Sequence, residues 1–184
     1  MLRIGLIGLG NQGTEYLIAQ DDCKSLQIVT GFDINEQTRN RASEDWPALQ
    51  LTGSLDELMG HNLDGLILAL PHHVYAEEWD KLVSLKLPML KEKPLGRNLT
   101  EARSFVRKAR ENGCPLQTAI QRREQPSYKY LLDVLKTRKV NDVHFMMHLG
   151  FEQPVNSNQS SEQWRGKYNK VGRWGITGLW LSHD

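Results

Sequence analysis

The sequence predicts an α/β fold, a doubly wound parallel sheet, with a fragment of a second α+β domain behind it. Three observations carry this. Short apolar runs alternate with helical patterns from the first residues to about residue 120. The runs are nearly continuous in apolar residues, as expected of strands covered by helices on both faces. The first run ends in a glycine-rich turn, placed between a strand pattern and a helix pattern. Alternation of this kind gives parallel strands joined by right-handed crossovers.

The elements follow in order. Arg3–Leu9 is a buried-strand run and Gln12–Gln20 reads as a helix. Leu26–Phe32, rich in β-branched residues, predicts the second strand. Asn35–Asp45 predicts a polar helix. Ser54–Met59 predicts a short one, opened by Ser54 with Glu57 three positions on, the pattern of a capping box. Leu63–Leu70 is a strongly apolar strand stopped by Pro71, and Val74–Leu85 a helix. Pro88–Leu90 predicts a short strand leading into Lys91-Glu92-Lys93-Pro94. Thr100–Glu111 is an amphipathic helix closed by Asn112-Gly113, and Leu116–Ile120 another strand. Beyond it, Tyr128–Lys139 predicts a helix, Val143–Gly150 an alternating strand, and Glu152–Glu162 a polar loop. The expected division is a dinucleotide-binding domain at residues 1–122 and the incomplete start of a second domain at residues 123–184.

The chain has 184 residues, room for one full domain and part of another. Its 23 basic and 22 acidic residues point to neither a nucleic-acid nor a membrane-surface partner. The Leu63–Leu70 run is far short of the roughly 20 residues that cross a bilayer. Met1 leads straight into a strand pattern without a small-residue cleavage site, so no signal peptide is expected. Two cysteines, Cys23 and Cys114, fit a cytoplasmic protein without a disulfide framework. The six histidines lack four-ligand spacing, so no metal site is expected.

Gly8-Leu9-Gly10-Asn11-Gln12-Gly13 is a G-x-G-x-x-G at the strand-to-helix junction. Gly8 serves the tight turn, Gly10 the approach of a pyrophosphate to the backbone, and Gly13 the close packing of helix on strand. The anion sits at the helix N-terminus, beside Asn11 and Gln12, where free N–H groups and the dipole favour negative charge. A glycine-rich turn alone is a weak signal. Its placement here predicts a Rossmann-type sheet that binds a dinucleotide, NAD or NADP. Asp33 ends the second strand 20 residues after Gly13, where a carboxylate accepts hydrogen bonds from the adenosine ribose. That carboxylate repels a 2′-phosphate, and no arginine follows at once, which favours NAD over NADP. Asp33 also suits a helix cap before Ile34-Asn35, and both roles stay open.

The strand ending at Leu70 runs into Pro71-His72-His73, at the sheet edge where ligands bind in open α/β folds. Leu70, Pro71 and His72 are expected beside the cofactor; a solvated loop is the competing place for His72. Glu92-Lys93-Pro94 follows a short strand at the same edge. A lysine there reaches the nicotinamide ribose and a substrate hydroxyl, and its charge helps that hydroxyl lose its proton as hydride leaves. On chemistry alone, a surface lysine in a proline turn reads equally well. Pro94 also allows a cis peptide bond.

The order GLIGLGNQG, GFD, ALPHH and KEKPLGRN, with a helix behind the last, resembles the Gfo/Idh/MocA oxidoreductases. Gln121-Arg122-Arg123-Glu124-Gln125-Pro126 is similar to the arginine-containing segment that opens that family's second domain. The resemblance runs from residue 1 to about residue 170. It implies NAD(P)-dependent hydride transfer on a small-molecule substrate, a sugar, cyclitol or related alcohol. It implies a catalytic role for Lys93, cofactor contacts from Gly8, Gly10, Asp33 and Glu92, a substrate contact from Arg123, and a homo-oligomer in the full-length family. One departure is visible: many members carry a histidine where this chain has Tyr75.

Trp164–Lys170 is similar to the family's lead-in to a glycine-rich stretch, GGGxLLDxGxH, which supplies an aspartate and a catalytic histidine. The residues that follow here, Val171–Asp184, depart from it. Val171–His183, back-translated with freely chosen synonymous codons and read one base later, gives SGGGELLDSGYHM. The expectation is a frame shift near Lys170 and a truncated enzyme, to be checked by sequencing the coding DNA. The competing reading takes Trp174, Trp180 and His183-Asp184 as a genuine site, at a spacing unlike the family motif. Two functional expectations stand: an oxidoreductase in which Lys93 polarises the reacting oxygen, or a remnant that binds NAD(P) without turnover.

Overall fold

The computed structural model describes residues 1–139; Val143–Gly150, Glu152–Glu162 and the tail after Lys170 lie outside the described residues. Six strands, β1 (Leu2–Ile7), β2 (Leu26–Phe32), β3 (Gln50–Thr52), β4 (Gly65–Leu68), β5 (Met89–Glu92) and β6 (Leu116–Ala119), form one parallel sheet. Their order is β3-β2-β1-β4-β5-β6. The chain starts at the centre, builds outward to β3, then returns to β4 and builds outward the other way. Connections therefore leave β1 and β4 in opposite directions, and a crevice opens between their C-terminal ends. The helices are α1 (Asn11–Ala19), α2 (Glu36–Asp45), α3 (Leu55–Met59), α4 (Val74–Ser84), α5 (Leu99–Glu111) and α6 (Pro126–Thr137). None among the described residues is long and apolar enough to cross a membrane.

The continuous apolar runs are explained by the two faces of the sheet. Successive strand residues point to opposite sides. Thus Ile4, Leu6 and Ile67 pack with Leu17, Ile28 and Ala42, while Ile7, Leu66 and Leu68 pack with Tyr75, Trp79 and Phe105. Trp79 stacks on Phe105 at 4.3 Å between ring centroids and donates its indole N–H to the Phe105 carbonyl at 3.2 Å, which locks α4 to α5. The Asn98 side chain caps α5 by accepting from the Glu101 N–H at 2.9 Å. Asn98→Ala is expected to cost about 1 kcal/mol. Denaturant unfolding reads it as a lower midpoint at unchanged slope.

Several boundaries differ from expectation for local reasons. The first strand stops at Ile7 because Gly8 turns the chain at φ +96°. The Leu63–Leu70 run keeps ladder geometry only from Gly65 to Leu68, and the Leu70 N–H bonds instead to the Tyr75 hydroxyl at 3.0 Å. The fifth strand is Met89–Glu92 rather than Pro88–Leu90, so two charged residues enter the sheet. The last helix starts at Pro126, whose missing N–H is tolerated at a first helical position, and ends at Thr137. The strand Gln50–Thr52 was not expected, being short and half polar. Ser54 caps α3 through the Asp56 N–H. Glu57 does not complete a capping box, because its carboxylate accepts from the Thr52 hydroxyl instead.

Candidate functional site

The glycine turn lies at the crevice between β1 and β4. A Cβ on Gly8 would stand 2.5 Å from the Ala69 carbonyl oxygen, and one on Gly13 would stand 2.0 Å from the Gly8 carbonyl oxygen. Both positions therefore require glycine: the first to pass β4, the second to bring α1 onto the turn. Gly10 is exposed, and a Cβ there would meet nothing within 4 Å. It is the N-cap of α1, with no side chain capping the helix and no acidic residue in its first turn. The N–H groups at the Asn11-Gln12-Gly13 end are thus left to an external anion, and the residues present fit a dinucleotide pyrophosphate.

Asp33 stands just past the end of β2, under this turn. One carboxylate oxygen accepts the Leu9 N–H at 2.9 Å, and the other accepts the Asn35 N–H at 2.9 Å. The helix cap is Asn35, which accepts from Gln37 and Thr38. Asp33 therefore ties the turn to β2 rather than capping α2, and each oxygen keeps a lone pair for a further donor. Sequence reasoning missed Arg39. Its guanidinium donates to the Asp33 carbonyl at 2.7 Å and lies against Gly53. It is six residues from Asp33 in sequence, but the first turn of α2 folds it back.

On the other side of the crevice, β4 is followed by Ala69, Leu70, Pro71 and His72, all partly exposed. Tyr75, from the first turn of α4, is buried beneath them; its hydroxyl donates to the Leu68 carbonyl at 2.7 Å and accepts from Leu70. Burial pushes the Tyr75 phenol well above its ordinary range. Tyr75 thus holds the end of β4 in place.

Next to β4, β5 carries Lys91 and Glu92 into the core, 1% and 7% exposed. Glu92 accepts the Tyr16 hydroxyl at 2.6 Å with one oxygen and the Lys93 N–H at 3.2 Å with the other. This carboxylate joins α1 to the lysine turn. Burial, and then the bond to Glu92, raise the Tyr16 phenol far above its usual value. Lys91 donates to the Glu92 and Pro94 carbonyls at 3.0 and 2.8 Å and lies 3.6 Å from the centroid of the Tyr75 ring. Its pKa falls to about 7 because burial disfavours the charged form, against the pull of Glu101 and Glu92. Lys93 is exposed, and the Lys93–Pro94 peptide is cis. The glycine turn, Asp33, Leu70–His72, Glu92 and Lys93 thus gather along one end of the sheet. Arg123 is exposed on the 3₁₀ turn Gln121–Glu124, after the edge strand β6 and two strands away from β4.

Comparison with known proteins agrees with this geometry. A family model described as "Oxidoreductase family, NAD-binding Rossmann fold", GFO_IDH_MocA, matches residues 2–120. The rhizopine catabolism protein MocA of Rhizobium meliloti is 25% identical over 158 residues, covering 84% of this chain and 49% of MocA. The chain thus spans about half the length of that curated relative. The WlbA dehydrogenase of Bordetella pertussis, solved with NADH and UDP-GlcNAcA, superposes at a TM-score of 0.68 with 20% identity over 74% of this chain and 40% of its own. The myo-inositol 2-dehydrogenase of Lactobacillus plantarum gives 0.65 with 19% identity over 74% of this chain and 41% of its own.

Proposed function

We propose, since the chain belongs to the Gfo/Idh/MocA oxidoreductase family, that it binds NAD along the β1–β4 crevice and supports hydride transfer to or from a sugar, cyclitol or related alcohol. The observation that carries this is the glycine turn at the switch point, with an uncapped helix end in front of it and Asp33 bonded beneath it. Bound NAD supplies the hydride acceptor. Gly8–Gly13 hold the pyrophosphate, Asp33 takes the ribose hydroxyls on its free lone pairs, and Leu70, Pro71 and His72 line the crevice. Lys93, exposed at the end of β5, polarises the reacting oxygen and holds its proton. The polyol class is supported by the activity named for the Lactobacillus enzyme and by the sugar nucleotide bound to the Bordetella enzyme.

We place the cofactor domain at residues 1–122 and the opening of the second domain at residues 123–184. This is supported by α6, which has no buried residue among those described and exposes Tyr130, Leu131, Leu132 and Leu135. Arg123 at that boundary is our candidate substrate contact. A cytoplasmic location is supported by the unpaired Cys23 and Cys114.

The preference for NAD over NADP rests on the Asp33 carboxylate; Arg39 beside it is the group that would tolerate a 2′-phosphate. Fluorescence titration of the full chain with NADH and NADPH tests the reading, and absence of NADH binding overturns it. In Asp33→Asn, NADH affinity is expected to fall about tenfold while NADPH affinity holds or rises, because a charge-assisted acceptor is lost and a repulsion is removed. Assay with polyols then separates the two functional classes: turnover supports the oxidoreductase, and binding without turnover supports a cofactor-binding chain.

A further inference from the structure

Lys91 has no part in the chemistry assigned to Lys93, yet it is the more buried of the two lysines by far. An ammonium brought into a core is costly unless each of its donors is met. It has three N–H donors. Two reach the Glu92 and Pro94 carbonyls at 3.0 and 2.8 Å, and the Tyr75 ring face stands 3.6 Å from the nitrogen. The ring is itself fixed, by the bonds of its hydroxyl to Leu68 and Leu70 and by edge contact with Trp79 at 6.4 Å between centroids. A rigid aromatic seat therefore aims the charge at two backbone carbonyls, and those two bracket Lys93 in the chain.

We propose that Lys91 is a positioning residue: seated on Tyr75, its ammonium clamps the Glu92 and Pro94 carbonyls and so fixes the turn from which Lys93 projects. The proposal rests on the reading of Lys93 given above.

The charged and titratable groups around Lys91 are Tyr75 from α4, Glu92 on β5 with Tyr16 of α1 bound to it, and Glu101 of α5 paired with Arg97 at 2.7 Å. The clamp is strongest with the ammonium, whose charge assists both hydrogen bonds and faces the ring. With its pKa lowered to about 7, the charge is present below that pH and is lost as pH rises through it. The turn is therefore held more tightly below neutral pH than above it, where the neutral amine keeps two N–H donors but loses charge assistance and the attraction to the ring.

The test is an NMR titration of the isotope-labelled full chain. The Lys93, Leu95 and Gly96 amides are expected to shift with one midpoint near neutrality, shared with the Lys91 ε-carbon. In Lys91→Met these shifts are expected to vanish. His72 and His73 remain in that variant, so any shift that they cause persists. Because Lys91 acts through Lys93, polyol turnover of Lys91→Met is expected to fall about tenfold while NADH affinity stays nearly unchanged, the scale of one lost hydrogen bond in preorganising a site. Should the variant not fold, the wild-type titration still decides. Amides that fail to follow the Lys91 ε-carbon overturn the proposal, as do shifts that persist in Lys91→Met. A wild-type chain that binds no NADH overturns the reading of the site instead, while the amide titration still judges Lys91.

Discussion

Gly13→Ala is expected to weaken NADH binding by at least about a hundredfold and to destabilise the domain. The added methyl would lie 2.0 Å from the Gly8 carbonyl oxygen and 2.9 Å from the carbonyl carbon. The obstacle is backbone, so no side chain can swing away. Nor is the Gly8 carbonyl free to move. The residue stands at φ +96°, its N–H is bonded to the Phe32 carbonyl at 2.8 Å, and the side on which a Cβ would stand faces the Ala69 carbonyl. Relief must come from α1 lifting off β1, which costs roughly 1–3 kcal/mol as overpacking. The same movement takes the α1 N–H groups away from the phosphates. Hydrogen bonds to a charged group contribute roughly 1.5–3 kcal/mol each, so two lost together give at least the hundredfold. NADH titration and thermal unfolding check both effects. Gly10→Ala is the control: its methyl enters open space, so stability is expected to hold while the pyrophosphate approach is obstructed. NADH affinity unchanged in Gly13→Ala would take the glycine turn out of the cofactor site.

That turn was legible in the sequence because its constraints are local. Three glycines at fixed spacing between a strand and a helix leave the backbone few arrangements, and Gly8 and Gly13 meet the contacts that only glycine permits. The placement of Asp33 beside the turn was legible for the same reason, being set by its distance along the chain from it. Even so, its helix-cap reading was removed only by the hydrogen bonds, which give the cap to Asn35. Arg39 escaped because its approach to Asp33 depends on the first turn of α2. Lys91 escaped for a stronger reason. Charged residues ahead of a proline read as a turn, whereas the ladder runs through Glu92 and the nearest ring comes from α4. A partner that lies across an element boundary leaves no periodic signal in the sequence. Tyr75 showed only as a departure from a pattern, and the structure gives that departure its contacts.

Lys93→Met is expected to remove turnover while leaving the fold and NADH binding nearly intact. The fold should not notice, because Lys93 is exposed and its backbone N–H bond to Glu92 does not involve its side chain. A change of this kind shifts stability by about 0.5 kcal/mol at most. The chemical step is another matter. A positioned group that holds a proton in the transition state contributes roughly a hundredfold to ten-thousandfold, and methionine can neither carry the charge nor take the proton. Steady-state oxidation of a cyclitol and of a sugar by the full-length protein, with NADH titration of both proteins alongside, reads the two quantities separately. Lys93→Arg divides the role further. Arginine keeps the charge but does not give up its proton at accessible pH. Partial activity in Lys93→Arg would assign Lys93 to polarising the oxygen, and loss equal to that of Lys93→Met would assign it to the proton. A Lys93→Met protein that turns over as fast as the wild type would leave the exposed lysine a surface residue in a proline turn, and the search for the acid–base group would move to the residues beyond 139.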